Sequence, residues 1–374
     1  MLPKSLYIHI PFCLSKCPYC GFSSFPISSR PIQKQYAEAI TEQISRLRCN
    51  HLETIFLGGG TPSLLSCSSL EKIMAAAMSK TCNQSEPEIS IEINPGTVDD
   101  NKLKFFRNIG INRLSVGVQS FNGAELKLLE RPYTAKEARA VLADACKAGF
   151  TNISIDLIYG LPGQTAATLA GTIQQTLALP ISHLSIYQLT IEPGSPYEAA
   201  VKKGRLVLPS EEEIEEFDNL ILELTAKAGF ARYEISNYCR AGWYCRHNLT
   251  YWHNLPYYGI GAGAVSYING IRRQNTADPG DFLARINSGL PAAVSSEELG
   301  LEERFRETVV MGLRLTSGIC LAELEKRFGI DCINYYGKNL DRLLAAQMLT
   351  VTSGYLKLTD KGMRLANSIM AELV

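Results

Sequence analysis

The chain has 374 residues, 46% hydrophobic and 20% charged, which suits a globular protein with one large domain and smaller attachments. Lys+Arg and Asp+Glu stand at 37 each, so no overall field draws the chain to nucleic acid or acidic membranes. No apolar stretch reaches membrane-spanning length, and the N-terminal run "MLPKSLYIHIPFC" is broken by His9 and Pro11, so it is not read as a signal peptide.

In chain order, short β-branched runs alternate with helical patterns as far as about residue 190. The expected strands are "LYIHIP" (6–11), "ETIFLGG" (53–59), "EISIEI" (88–93), "RLSVGVQ" (113–119), "NISIDLIYG" (152–160) and "HLSIYQL" (183–189). Between them lie "QKQYAEAITEQISRL", "LEKIMAAAM", "NKLKFFRN", "AKEARAVLADACKA" and "AATLAGTIQQTLA", each with helical spacing. Alternating βα units predict a parallel sheet with helices outside it, either doubly wound or part of a barrel. Polar and glycine residues gather after the strands: three cysteines after the first, then "GGGTPS", "EINPG", "GVQSF" and "DLIYGLPGQT". A doubly wound sheet concentrates its site at one switch point, whereas a barrel shares one rim among all its strands. Five decorated strand ends favour the barrel.

Beyond residue 190 the expected order is a middle extension over 191–295, rich in loops and aromatics, then a C-terminal domain over 296–374. There "EERFRETVVMGLRL", "LAELEKRFG" and "NLDRLLAAQML" read as helices, "LTVTSGYLKLT" as a hairpin and "KGMRLANSIMAEL" as a closing helix, a winged-helix-like arrangement. Residues 301–374 hold ten Lys/Arg against nine Asp/Glu, so docking is expected of this module rather than groove reading.

Eleven cysteines, an odd number and mostly scattered, fit a reduced cytosol with one functional cluster better than a disulfide framework. That cluster is "YIHIPFCLSKCPYCGF", in which Cys13, Cys17 and Cys20 follow a C-x3-C-x2-C spacing. Structural zinc wants four ligands and no second C-x2-C exists here; a redox pair would leave Cys13 unused. Three thiolates suit a soft metal or an iron–sulfur cluster, and in the latter one iron is left open to a chelating cofactor.

C-x3-C-x2-C after the first strand of a βα series, followed by "GGGTP", resembles the radical S-adenosylmethionine superfamily. The resemblance implies a partial (β/α)6 barrel, a [4Fe–4S] cluster on Cys13, Cys17 and Cys20, and S-adenosylmethionine chelating the open iron. It also implies that Gly59, Gly60 and Thr61 meet the cofactor's amino-acid end, and that Tyr7 and Tyr19 flank the cluster. Glu92, Gln119, Arg131 and Asp156 correspond to polar residues lining the cofactor site. Singly, Asp156 also reads as a turn residue and Arg131 as a surface cation.

Over nearly the whole chain the resemblance narrows to the group of oxygen-independent coproporphyrinogen III dehydrogenases and HemW-type haem chaperones. It rests on "CPYCGF", "DLIYGLPGQT", "YQLTIEPGS", "YEISNY" and "HNLTYW". The dehydrogenase pattern has a cysteine two residues after the third ligand and a substantial extension before the first strand; this chain has Phe22, and only Met1 to Ser5. "HNLTYW" is similar to the H-N-x-x-Y-W signature of the haem-binding members, which implies haem contact by His247 with Tyr251 and Trp252. His247 read alone is either an axial ligand or a hydrogen-bonded core residue. His253 lies just past the signature, and Cys239 and Cys245 are expected to be buried thiols. Where the group usually has histidine two positions after the rim arginine, this chain has Tyr133. The expected protein is thus a cytoplasmic haem chaperone with possible haem-acceptor partners and transient membrane contact. The alternative is the dehydrogenase, which oxidatively decarboxylates two propionates.

Overall fold

The computed structural model describes residues 2–27, 30–81 and 86–374; Cys82 lies outside them. Six strands alternate with helices as the spacing predicts. They are β1 (Ser5–Ile10), β2 (Thr54–Gly59), β3 (Glu88–Ile93), β4 (Arg113–Gln119), β5 (Asn152–Tyr159) and β6 (His183–Gln188). The helices between them are α1 (Arg30–Ser45), α2 (Cys67–Met78), α3 (Asp100–Asn108), α4 (Gly123–Leu128), α5 (Ala135–Lys147) and α6 (Ala166–Leu177). All six strands run parallel in sequence order, and the sheet is open rather than closed. Caps start the helices sharply after the strand-end loops. Thr134 with Glu137 forms a capping box on α5, and Ser66 accepts from the Ser69 amide at the start of α2.

The strands alternate strictly. Ile89, Ile91 and Ile93 of β3, Leu114 and Val116 of β4, and Ile153 and Ile155 of β5 enter one apolar core with Leu103, Phe106 and Leu142 of the helices. The intervening residues face the other way, and most are polar: Ser90 and Glu92, Ser115, and Ser154 and Asp156. Register sets Glu92 opposite Ser115, and Asp156 opposite both Gly117 and Ser185. A sheet apolar on its helix side and polar within provides a lined interior instead of a second core.

Segments after residue 190 complete the sheet at both edges. Short strand β8 (Asn237–Cys239) adds antiparallel to β6 and is followed at the edge by β7 (Ala231–Arg232), antiparallel to β8, while β9 (Tyr258–Ile260) adds parallel to β1. The order is β9-β1-β2-β3-β4-β5-β6-β8-β7. A helix over Glu211–Lys227 was not expected in this loop-rich segment. Its opening run of glutamates hides a capping box with Ser210 and an apolar stripe, Phe217 and Ile221, that enters the main core.

The C-terminal module has its own core around Phe305, Val309, Leu324, Leu340 and Leu356. Helices Leu301–Gly312, Leu321–Phe328 and Lys338–Ala345 precede a hairpin, Leu349–Thr352 with Tyr355–Leu358, which pairs with Ile319–Cys320 as a wing. The closing helix is split at Leu365 into Asp360–Arg364 and Ala366–Ala371. Among the described residues no helix is long and apolar enough to cross a membrane.

Candidate functional site

The cysteine loop is tied down before it carries any ligand. The Phe25 amide donates to the Pro11 carbonyl at 2.7 Å and the Ile27 amide to the Cys13 carbonyl at 2.9 Å, closing the loop on itself. His9 reaches out of β1, and its Nε2 donates to the Ser23 carbonyl at 2.8 Å. That fixes the tautomer, so Nδ1 accepts from the Tyr7 hydroxyl at 2.9 Å. Cys13, Cys17 and Cys20 are free and partly exposed. Burial pushes the Cys13 thiol up, against hydrogen bonds from Thr61 and Ser24.

These thiols line a cavity of about 540 Å³ at the C-terminal ends of the strands. Its wall also contains Tyr19, Gly59, Gly60, Thr61, Glu92, Gln119, Arg131 and Asp156, so eleven residues singled out in the sequence meet at one place. The glycines are there for room. A Cβ on Gly60 would sit 2.7 Å from the Phe12 carbonyl oxygen and 3.0 Å from Cys13 Sγ, and Gly59 adopts φ +114°. The Gly59 amide donates to Glu92 at 2.9 Å. Burial, with the nearby Asp156 charge, pushes the Glu92 carboxyl up to about 7. Asp156 is likewise raised by burial while accepting from Ser115 at 3.1 Å. Gln119 is reached through a bulge in β4 and has φ +67°, a strained conformation that turns its side chain into the cavity. Tyr19 packs on Tyr197 with ring centroids 6.0 Å apart.

Tyr7 and His247 are elsewhere. They line a smaller chamber of about 180 Å³ within the sheet, which shares Glu92, Ser115, Asp156 and Tyr187 with the larger cavity. His247 is 1% exposed, on the short helix Arg246–Trp252. Its Nδ1 meets the Thr54 hydroxyl at 2.8 Å and its Nε2 the Tyr251 hydroxyl at 2.9 Å. Burial, then the Arg113 charge, holds its pKa down at about 3, so the ring is neutral. Tyr251 and Trp252 face a third cavity of about 310 Å³, against Met311 of the C-terminal module. Cys239 and Cys245 are buried free thiols.

The sequence reading passed over three neighbours. Asn94, inside the quoted "EINPG", accepts from Arg131 at 3.1 Å. Tyr187, within "YQLTIEPGS", turns its ring toward both cavities. Arg113 is buried at 1% exposure with its Nε unpartnered, at the floor of the inner chamber; its place inside a strand motif gave no sign of this.

The donor set fits an iron–sulfur group. Three soft ligands from one loop face one cavity, as thiolate ligation of such a group requires. With a family model described as the Radical SAM superfamily matching residues 7–176, fold and site define the class as a radical SAM protein. A second model, the HemN C-terminal domain, matches residues 299–365. The chain is 34% identical to the heme chaperone HemW of Lactococcus lactis, covering 100% of this chain and 97% of that protein. It is 35% identical to that of Bacillus subtilis, covering 98% of each, and 32% identical to that of Escherichia coli, covering 98% of this chain and 97% of the relative. The chain belongs to the HemW family. The solved structure of Escherichia coli coproporphyrinogen III oxidase (HemN), a radical SAM enzyme, matches with a TM-score of 0.85 at 24% identity. It covers 99% of this chain and 90% of that one, a likeness of fold.

Proposed function

We propose that this protein is a cytoplasmic haem chaperone that holds a [4Fe–4S] cluster, binds S-adenosylmethionine and haem, and passes haem to acceptor proteins. The observation that supports it most is the gathering of three thiols, two glycines, a half-buried arginine and two half-buried carboxyls on one cavity in a chain related end to end to proteins named heme chaperones. In this reading Cys13, Cys17 and Cys20 hold the cluster. The Gly59–Gly60 backbone meets the amino-acid end of the cofactor, and Glu92, Gln119, Arg131 and Asp156 line the walls around its polar groups. Tyr7 and Tyr19 support the chamber walls. When bound, the cluster and cofactor supply one-electron cleavage of a sulfonium, with the protein contributing position and electrostatics.

Haem is assigned to the segment around His247, Tyr251 and Trp252. The His247 ring is neutral, as iron ligation requires, but both its nitrogens are engaged. Ligation by this ring therefore requires breaking one hydrogen bond, about 1 kcal/mol net, and opening a buried position. Acceptors that sit in membranes would be met by transient peripheral contact, and no nucleic-acid partner is invoked.

The test uses anaerobically reconstituted protein. One sample is offered haem; the other is offered coproporphyrinogen III with S-adenosylmethionine and reductant. Stable haem binding, weakened in His247→Ala and without porphyrinogen turnover, supports the chaperone. Turnover without haem retention replaces that reading with the dehydrogenase.

A further inference from the structure

Arg131 and Tyr133 stand two residues apart on the segment after α4. The guanidinium is held on several sides. Its Nε donates to the Tyr133 hydroxyl at 2.7 Å, and one terminal nitrogen donates to Asn94 Oδ1 at 3.1 Å and to the Gly117 carbonyl at 3.3 Å. The other terminal nitrogen donates to Cys17 Sγ at 3.1 Å. Tyr133 is itself fixed: it is 5% exposed, and its hydroxyl donates to the Gly117 carbonyl at 2.6 Å. Its ring lies beside the guanidinium, 5.4 Å from ring centroid to Cζ. A rigid planar fork anchored at Nε and at one terminal nitrogen has little freedom left in the third. That third arm points at Cys17.

We propose that Tyr133 is a positioning residue for the cluster: it holds Arg131 so that the guanidinium donates to the Cys17 thiolate, and this contact raises the cluster's reduction potential. The inference rests on the reading of Cys13, Cys17 and Cys20 as cluster ligands. A cationic donor on a ligating sulfur draws off negative charge and so favours the reduced cluster, and charge-assisted hydrogen bonds are the strong ones. Tyrosine suits the task. The phenol can accept from Arg131 while donating to Gly117, and it stays neutral, with burial pushing it up to about 12.

Tyr133→Phe keeps the ring and removes only the hydroxyl. Wild type, Tyr133→Phe, Arg131→Lys and the double variant are reconstituted anaerobically. Iron per chain and thermal midpoint are measured, and the reduced cluster is followed by electron paramagnetic resonance in a redox titration. Expected is iron content equal to wild type in Tyr133→Phe with a downward shift of the midpoint potential. Arg131→Lys is expected to shift further the same way, and the double variant no further than Arg131→Lys alone. An unmoved potential in Tyr133→Phe, or shifts that add in full, overturns this inference and leaves the cluster reading standing. Loss of iron from Tyr133→Phe with the fold intact also overturns it, because the hydroxyl would then serve cluster retention. A wild-type chain that takes up no cluster overturns the reading of the cysteines and this inference with it.

Discussion

Glu92 is the residue at which the needs of the site and of stability part most clearly. Its carboxyl ionises at about 7 in the folded chain against an ordinary 4.5. Below about pH 4.5 it is protonated folded or unfolded and costs nothing. As the pH rises from there toward 7 the unfolded chain ionises first, so stability falls. The deficit at neutral pH is on the order of 3 kcal/mol. Glu92→Gln is therefore expected to resist urea better than the parent at pH 8 and about equally at pH 4, while losing affinity for S-adenosylmethionine. Parallel pH profiles of the urea midpoint would show that this carboxyl is not responsible. His247 poses the opposite case, since removing its ring leaves the Thr54 and Tyr251 hydroxyls without their partner and opens a cavity beneath Phe56. His247→Ala should cost about 3 kcal/mol, read as a lower denaturation midpoint. A haem deficit in this variant counts as ligand loss only at temperatures where circular dichroism shows it folded.

At the scale of elements, most of the barrel is legible. "EISIEI" and "RLSVGVQ" become strands over the same residues, because β-branched alternation and bounding turn residues agree. The three-cysteine loop and "GGGTP" also announce themselves, since few chemistries need such residues side by side. The Glu211–Lys227 helix did not, as its apolar stripe lies under a run of charge. Nor could spacing tell that His247 would turn inward to Thr54, a residue 193 positions away in sequence. The strand-to-rim turn is where one atom matters most. Gly59→Ala would place a Cβ 2.5 Å from His9 Cε1 at a backbone φ of +114°. The strain is about 1–3 kcal/mol. It should displace His9 from Ser23 and lower the iron bound per chain after reconstitution; unchanged iron would mean that the loop does not depend on His9. Alanine at Cys13, Cys17 or Cys20 is expected to abolish the cluster's visible absorbance and iron content, and a retained spectrum would remove the assignment.

Among the described residues the two largest cores are separate, one shared by the barrel and its edge strands and one belonging to the C-terminal module, with a small third cluster of Leu129, Ile158 and Leu161. They meet through specific polar contacts. Arg327 donates to the carbonyls of His253 and Asn254, the latter at 2.6 Å, and Thr316 donates to the Tyr233 carbonyl at 3.3 Å. Phe305 is wholly buried in the second core, 4.9 Å from Tyr335 between ring centroids. Phe305→Ala should cost about 3–5 kcal/mol. Because the cores are separate, the loss is expected to appear as faster amide exchange after residue 299, with cluster uptake unchanged. Slower uptake would instead show that the module braces the cysteine loop.

By itself the sequence determined the βα order, the parallel sheet, the thiol loop and the winged module, because these follow from local periodicity, turn residues and the spacing of ligands along one loop. Only the tertiary structure decided that Tyr7 and His247 line a separate inner chamber and that His247 is spent on Thr54 and Tyr251. It also decided that Tyr133 and Asn94 aim Arg131 at Cys17. Those outcomes depend on register between strands and on contacts between residues far apart in the chain. Neither leaves a period in the sequence, since the energy that selects them exists only once the sheet has formed.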